Sequence, residues 1–229
     1  EIIYLIPGAV LLDFLIGDPK SLPHPVQFMG LAINFLKKFI ENIAKKDKLK
    51  LYIGGIFITL IIIFLTGFIG WFIERIFLSF QTENNFLISF LFTLILSSSL
   101  ASRSLNNRIN EIIKLIQKSN SKDNISNARK KLGLIVGRDI ENLNKDQIFR
   151  ALAETASENS VDGIFSPLFW MFLGIIFWQF NKSLPGPLAL AWVFKASSTI
   201  DSMLGYKEGT LRWLGFAGAK LDDLLNWIP

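Results

Sequence analysis

The uncharged run at 51–73, LYIGGIFITLIIIFLTGFIGWFI, constrains the fold more than any other part of the sequence. A helix of about 20 apolar residues crosses the hydrocarbon core of a bilayer, which is about 30 Å thick. Backbone N–H and C=O groups find no water there, so an isolated segment of this kind must be helical. The run therefore predicts a helical membrane protein.

Further apolar stretches predict more helices of this kind, although Asp13 interrupts the first and Lys195 lies in the last. A mean hydropathy of +0.40 and a hydrophobic fraction of 51% agree with a membrane class. We expect an all-α, polytopic protein with about five transmembrane or membrane-embedded helices in one domain, 1–229. The last stretch could instead be a re-entrant segment or a buried helix. The predicted spans are 2–17, 51–73, 86–102, 163–181 and 183–200.

Composition excludes several kinds of site. The sequence has no Cys, which excludes a disulfide framework, a thiolate nucleophile and a zinc–thiolate centre. Its one His, His24, leaves no room for a His-rich metal cage. No Walker A sequence and no G-x-G-x-x-G fingerprint occurs, so the common nucleotide-binding motifs are missing.

Basic residues alternate along the chain between rich and poor connections. They are frequent before 51, in 103–150 and after 194, whereas Arg75 and Lys182 stand alone in the connections between. This alternation predicts a multi-pass protein of the cell membrane with the long basic loops cytoplasmic and the N-terminus outside. Basic loops could also bind nucleic acid, but lysines beside spans favour topology and lipid attraction, and we expect no nucleic-acid partner.

Amphipathic patterns predict a helical cytoplasmic layer over 103–160. Apolar residues recur at helical spacing in 26–46 and in 104–119, so the first of these helices would lie on the membrane surface or pack against the bundle. A short helix ending at Gly137 follows. A further helix over 145–161 would begin after Asn144, a favourable N-cap residue.

Three acids precede the span at 163–181. Glu154 and Glu158 are one helical turn apart on the same face, and Asp162 follows at or beyond the helix end, where Gly163 is free to adopt an unusual backbone angle. Their oxygens suit Mg²⁺, which takes one or two carboxylates with phosphate and water. The alternative is a solvated acidic face that ends in a turn. Proximity to a span favours function, because ionisable groups there are costly.

Other polar residues lie at the ends of apolar segments. Each has a structural alternative: His24 could be a surface group in a proline-rich turn, Arg103 a topology anchor and Arg138 an ion-pair partner of Asp139. Asp13 could pair with a residue inside the bundle. The candidates for substrate binding are Asp18, His24, Arg103, Arg138, Asp201, Tyr206, Asp222, Asp223 and Asn226.

Six segments in order resemble the CbiB/CobD family of cobalamin biosynthesis, the membrane-bound adenosylcobinamide-phosphate synthases. The segments read LLDFLIGDPKSLPHPVQFMG, RSL, IVGRD, ETASENSVDGIFSPLFW, KASSTIDSMLGYK and AGAKLDDLLNWIP. Two features depart from the family pattern. Ser157 stands where Val or Ala is usual, and family members continue past NWIP, so we expect the family's C-terminal part to be missing here.

The resemblance implies ATP-dependent amide formation between adenosylcobyric acid and aminopropanol or aminopropanol phosphate, with ATP and Mg²⁺ required. It places Glu154, Glu158, Asn159 and Asp162 at the catalytic centre and the nine candidates above around the substrates. Glu154, Glu158 and Asp162 would hold Mg²⁺ or the amine. It also implies contact with membrane lipid and with other cobalamin-assembly enzymes.

Two functions of other classes compete with this hypothesis. A polytopic transporter or corrinoid-binding subunit without chemistry would also carry acids near its spans, and the missing nucleotide fingerprint favours it slightly. Acids at the cytoplasmic ends argue against a transport path, which places them near the midplane. A purely structural assembly partner would not need the six polar segments.

Overall fold

The structure, a computed structural model, describes residues 4–17, 24–80, 85–117, 122–136, 140 and 143–229. Within these ranges the chain forms eleven α-helices and one π-helical turn, with no strand. The α-helices are α1 (Leu5–Leu15), α2 (Pro25–Ala44), α3 (Lys48–Phe80), α4 (Phe86–Ser97), α5 (Ser102–Gln117), α6 (Lys122–Leu132), α7 (Lys145–Ser160), α8 (Ser166–Phe180), α9 (Pro187–Leu204), α10 (Leu211–Leu214) and α11 (Phe216–Leu225). The π-turn is Val161–Phe165. The all-α prediction is confirmed.

The main core is a bundle in which α3 and α9 pack side by side, with α8 and α11 against α9 and with α1 beside α4. The backbones of α3 and α9 approach closely, because a Cβ added to Gly70 would lie 2.8 Å from the Cα of Ala189. Small residues permit such contact between apolar helices, which increases van der Waals packing. The bundle therefore gives a rigid frame on which α9 presents its C-terminal end.

A second core joins α5, α6 and α7 outside this bundle. Ile112, Leu132, Ile148 and Leu152 are buried in it. Asn144 caps α7 as predicted: its side chain accepts from the Gln147 N–H, while the Gln147 side chain accepts from the Asn144 N–H. The predicted helical layer over 103–160 is thus present where the structure describes it.

One predicted boundary in this layer is wrong. The helix expected to end at Gly137 ends at Leu132, and Gly133 follows with its N–H bonded to the Arg129 carbonyl. Glycine is favoured just past a helix end because it lacks a Cβ, so the first of the two glycines ends α6. Gly137 itself lies outside the described residues.

Two helical segments are long and apolar enough to cross a membrane, counting only what the structure describes: α3, and the continuous segment Lys145–Phe180 formed by α7, the π-turn and α8. The pair α4 and α5, bent by 44°, would make a third if it were one span. All five predicted stretches contain a helix, but α1 has 11 residues and α4 has 12. At 1.5 Å per residue neither α1 nor α4 covers a core of about 30 Å.

Helix α2 packs against α3 and α9 on one side, which confirms the packed alternative for this amphipathic helix. Its other side exposes a stripe of large apolar residues at helical spacing: Phe28, Leu31, Phe35, Phe39 and Ile43. Contact of this stripe with lipid stays a prediction. Asp13 also pairs inside the bundle, as one alternative expected: it is buried, and Oδ2 accepts from the Ser102 N–H at 2.7 Å.

Candidate functional site

A pocket of about 940 Å³ lies between the second core and the end of the bundle. Its walls come from α5, α7, the π-turn, α9 and the segment after α6, and Val26 of α2 touches its edge. Pockets of roughly 300–1,000 Å³ hold small-molecule ligands in proteins, so this one is at the large end of that range. Six of the predicted site residues line it: Glu154, Glu158, Asn159, Asp162, Asp201 and Tyr206.

The backbone at Asp162 and Gly163 differs from the prediction. We expected the helix to end there, with Gly163 in an unusual conformation. Instead the π-turn joins α7 to α8 without a break, and Gly163 is not among the residues with positive φ. Pro167 explains the wide turn, because proline has no N–H and its ring clashes with the carbonyl four residues earlier. The acids therefore lie on a helix that runs on into the bundle.

Asn226 links Asp162 to the end of α11. Its Nδ2 donates to Asp162 Oδ1 at 3.2 Å and to Asp222 Oδ2 at 3.1 Å. Its Oδ1 accepts from the Ser166 hydroxyl at 2.7 Å, which fixes the orientation of the amide. Both amide hydrogens are thus directed at carboxylates, and Asn226 connects Asp222 to Asp162, which lines the pocket.

Burial raises the pKa of three carboxyls in this cluster, Asp162, Asp201 and Asp222. Burial, then the charges of Asp162 and Asp201, raise the pKa of Asp222 to about 7, although the Asn226 hydrogen bond opposes the shift. Burial, then the charges of Asp223 and Glu158, raise the pKa of Asp201. Such shifts are typical of functional sites, where carboxylates are crowded and partly desolvated. The cluster therefore favours a bound proton or cation.

Replacement of Asp222 with Asn tests this crowding through stability. A carboxyl whose pKa is raised in the folded state keeps its proton where the unfolded chain has lost it, so folding is favoured at low pH. That advantage disappears as pH rises from 3.8, the unperturbed value, to about 7. Between pH 5 and pH 8, without divalent cations, we expect the fall in Tm to be smaller in Asp222→Asn than in the unmodified protein by about 2 °C or more.

The neighbouring Asp223 provides the matched control. Its side chain is 71% exposed and forms an ion pair with Lys220 at 3.1 Å, and exposed pairs of this kind contribute little. Asp223→Asn should change the pH dependence of Tm less than Asp222→Asn does, because the Asp223 charge is the smallest of the causes that raise the pKa of Asp222. Equal changes in the two variants would contradict a special environment at Asp222.

The acids form no ready-made metal cage. No group of three or more His, Cys, Asp or Glu side chains in the described part of the chain is close enough to hold a metal ion, so binding of Mg²⁺ by Glu154, Glu158 and Asp162 together stays a prediction. The chemistry of the residues fits Mg²⁺ nevertheless, since this ion needs one or two carboxylates with phosphate and water. Asp222 Oδ1 is buried without a hydrogen-bond partner among the described residues.

Other predicted site residues lie outside the pocket lining. Arg103 Nη1 donates to the Phe14 carbonyl at 3.3 Å, in the last turn of α1. His24 is the N-cap of α2, where its Nδ1 accepts from the Val26 N–H. Asp223 stands on the exposed side of α11. Substrate contacts of these three residues stay predictions, while Asp18 and Arg138 lie outside the described residues.

The structure adds two cations that the sequence had not indicated as site residues. Arg108 of α5 and Lys195 of α9 both line the pocket. A signal for Lys195 was present in the sequence. Lys195, Ser198, Asp201 and Ser202 recur at helical spacing after the apolar residues 187–194, which is the pattern of one polar face on a helix.

Comparison with known proteins gives a consistent result. A family profile described as "CobD/Cbib protein" matches residues 6–229. A Synechocystis protein named "Cobalamin biosynthesis protein CobD" is 39% identical over 99% of this chain and 63% of its own length. "Cobalamin biosynthesis protein CbiB" of Salmonella typhi is 36% identical over 96% of the chain and 63% of its own length. A Clostridium acetobutylicum protein named "Cobalamin biosynthesis protein CobD" is 39% identical over 96% of this chain and 64% of its own length.

The chain thus spans somewhat less than two thirds of the length of these curated relatives. No solved structure matches it significantly. The pocket geometry described above is accordingly the basis for assigning individual residues.

Proposed function

Because the chain belongs to the CobD/CbiB family, we propose that it takes part in cobalamin biosynthesis as an ATP-dependent, amide-forming ligase. The substrates would be a corrinoid carboxylate, adenosylcobyric acid, and aminopropanol or aminopropanol phosphate. Names of the relatives support the pathway. The observation that carries the reaction type is the pocket, which is lined by both carboxylates and cations.

The charges of this pocket fit such a pair of substrates. Glu154, Glu158, Asp162 and Asp201 outnumber Arg108 and Lys195 along its walls. A cluster of crowded carboxylates attracts a cation, either the ammonium group of the amine or Mg²⁺. The Arg108 side chain can bind an anionic group such as a carboxylate or a phosphate. One pocket would therefore hold both reacting groups.

The proposed reaction joins these groups in two steps. Phosphoryl transfer from ATP to the propionate carboxylate first gives an activated carboxyl and ADP. The amine nitrogen then forms a bond to the carbonyl carbon, phosphate leaves with the C–O bonding pair, and the surplus proton of the nitrogen passes to a carboxylate. Asp162 is the proposed proton acceptor, Arg108 stabilises the negative charge, and Mg²⁺ when bound would neutralise phosphate.

Membrane placement follows from the same arrangement. The pocket lies at the end of the bundle that carries the basic segments 103–117 and 122–136, whereas Arg75 and Lys182 lie at the opposite end. Basic residues are retained on the cytoplasmic side of membrane proteins. We therefore place the protein in the cell membrane, with the pocket open to the cytoplasm, where ATP is available.

Product formation tests the proposal. The full-length gene product, purified in detergent, is given the corrinoid, the amine, ATP and Mg²⁺, and we expect an amide product with release of ADP and phosphate. Glu158→Gln should lower turnover at least about tenfold, because the variant loses one carboxylate of the cation-binding cluster. Asp146→Asn, which removes an exposed acid from the start of the same helix, is the control.

Two outcomes would refute this assignment. Tight corrinoid binding without any product would favour the competing hypothesis of a binding or transport subunit. Unchanged turnover in Glu158→Gln would remove Glu158 from the reacting centre.

A further inference from the structure

We propose that Pro167 and Lys195 are positioning residues: Pro167 opens the π-turn, Lys195 holds a carbonyl that the turn releases, and together they direct the α7 acids into the pocket. The inference rests on the proposed function insofar as it concerns catalysis. Its geometric part is independent of that function and is tested separately below.

The backbone hydrogen-bond pattern shows why the helical turn is wide at residues 161–165. The Ser166 N–H donates to the Val161 carbonyl, five residues earlier. Pro167 has no N–H, so the Gly163 carbonyl has no donor at the α-helical spacing. The Asp162 carbonyl would use the Ser166 N–H in an α-helix or the N–H of residue 167 in a π-helix, and neither is free. The sequence thus releases two adjacent carbonyls.

Both released carbonyls have partners from other parts of the fold. Lys195 Nζ on α9 donates to the Asp162 carbonyl at 3.4 Å. The Ala101 N–H, in the connection between α4 and α5, donates to the Gly163 carbonyl at 2.9 Å. A buried carbonyl without a partner costs about 1–3 kcal/mol, so these contacts stabilise the π-turn. They also tie it to the two walls that face α7 across the pocket.

Lys195 also interacts with the Asp162 side chain. Burial raises the pKa of this carboxyl, and the charge of Lys195 opposes that shift. The geometric contact that carries the positioning role is the hydrogen bond from Nζ to the Asp162 carbonyl.

The wide turn changes the direction in which α7 faces. An extra residue in one turn rotates everything before it by about 100° relative to everything after it. Helix α8 is fixed in the bundle through buried residues such as Met171 and Trp178. The rotation consequently appears in α7, where it sets the direction of the Glu154 and Glu158 side chains. In an uninterrupted α-helix these two side chains would point away from the pocket.

A disulfide crosslink tests the geometry without any enzymatic assay. A Cβ added to Gly163 would lie 3.3 Å from the Cβ of Ala101, near the usual separation in disulfides, about 3.5–4.5 Å. The 229 residues contain no Cys, so the pair Ala101→Cys and Gly163→Cys should crosslink under mild oxidation. Adding Pro167→Ala restores the N–H and should reduce the yield at least about fivefold, because the turn then closes to an α-helix.

A control pair with the same separation reports on general folding. A Cβ on Gly54 would also lie 3.3 Å from the Cβ of Ile40, at the contact between α2 and α3. The pair Ile40→Cys and Gly54→Cys should crosslink equally well with and without Pro167→Ala. An unchanged yield for the Ala101 and Gly163 pair in Pro167→Ala would overturn the proposal, whatever the activity.

Kinetics of the full-length protein test the catalytic consequence. Lys195→Met should lower kcat about tenfold or more with KM within about twofold, since a small misplacement of reacting groups affects the transition state more than binding. Lys195→Arg keeps a cationic donor and should recover at least a third of the original kcat. Failure of Arg to improve on Met would overturn the role of Lys195, as would full activity in Lys195→Met.

These outcomes are distinguishable from failure of the proposed function. If the unmodified protein forms no amide, the proposed function fails, and the crosslink still decides whether Pro167 opens the turn. If the protein is active and the crosslink is insensitive to Pro167→Ala, the proposed function stands and the positioning role is refuted.

Discussion

Asp162→Asn should reduce amide formation by about 100-fold or more while the protein stays folded. A positioned general base contributes roughly 10²–10⁴-fold to a rate, and asparagine cannot accept the proton of the attacking amine. The substitution preserves shape, and its amide oxygen can still accept the hydrogen bond that Asn226 Nδ2 donates to Asp162 Oδ1 at 3.2 Å. Lost activity would therefore report lost chemistry and not lost structure.

Turnover of the purified protein under saturating ATP, corrinoid and amine measures this effect. The fall should appear mainly in kcat, because proton acceptance occurs in the transition state. Asp146→Asn removes the same charge from an exposed position on the same helical segment, and it should keep turnover within about twofold. A similar decrease in both variants, or normal turnover in Asp162→Asn, would refute the role of Asp162.

Features that depend on neighbouring residues could be predicted from the sequence. The N-cap predicted at Asn144 rests on a local pattern, and the structure confirms it. The one-turn spacing of Glu154 and Glu158 is also local, and both side chains line the pocket. The amphipathic helix predicted over 26–46 also agrees with α2, because its periodicity can be recognised within a short stretch of sequence. In each case the relevant contacts are made within a few residues along the chain.

Helix lengths were predicted less well because an uncharged run is not necessarily one helix. Within the run at 86–102, α4 ends at Ser97, and residues 98–101 form the connection to α5. Ser97 and Ser98 donate their hydroxyls to carbonyls three residues earlier, at 2.7 and 2.6 Å. Such bonds compete with regular helical pairing, and α4 ends there. Hydropathy alone does not register this competition.

Contacts between distant residues could not be predicted from the sequence. Asp222 and Asn226 were candidates from their place in the sequence and from the resemblance, and neither gives the hydrogen bonds that connect them to Asp162. Lys195 was noted as a charge in an apolar stretch, and nothing local indicates that it reaches the Asp162 carbonyl 33 residues earlier. The π-turn was missed because its cause, Pro167, lies beyond the expected helix end.

Glu74 is the largest structural feature that the sequence did not indicate. It follows the apolar run of α3 and precedes Arg75, where it resembles an ordinary flanking charge. The structure buries it completely. Its Oε2 accepts from the Gly186 N–H at 2.8 Å, and its Oε1 accepts from the N–H groups of Leu188 and Ala189 at 2.7 and 2.9 Å. One carboxylate from α3 thus caps the start of α9.

This cap accounts for every backbone donor at the start of α9. Gly186, Leu188 and Ala189 donate to Glu74, Pro187 has no N–H, and Leu190 donates to the Gly186 carbonyl in the first helical bond. Such donors would otherwise be unsatisfied next to hydrocarbon, where no water replaces the lost partner. The negative charge also interacts favourably with the positive end of the helix dipole.

We expect Glu74→Ala to lower the free energy of unfolding by about 3–6 kcal/mol, since each buried donor left without a partner costs about 1–3 kcal/mol. Denaturation in mixed micelles, followed by circular dichroism, measures the change. Asp47→Ala is the matched control: Asp47 Oδ1 accepts from the Leu49 and Lys50 N–H groups at 2.9 and 3.2 Å, but in an exposed position. Water can replace the Asp47 carboxylate at these N–H groups, so Asp47→Ala should lower the free energy of unfolding by only about 1 kcal/mol. Equal losses in the two variants would show that burial of Glu74 does not increase the contribution of its cap.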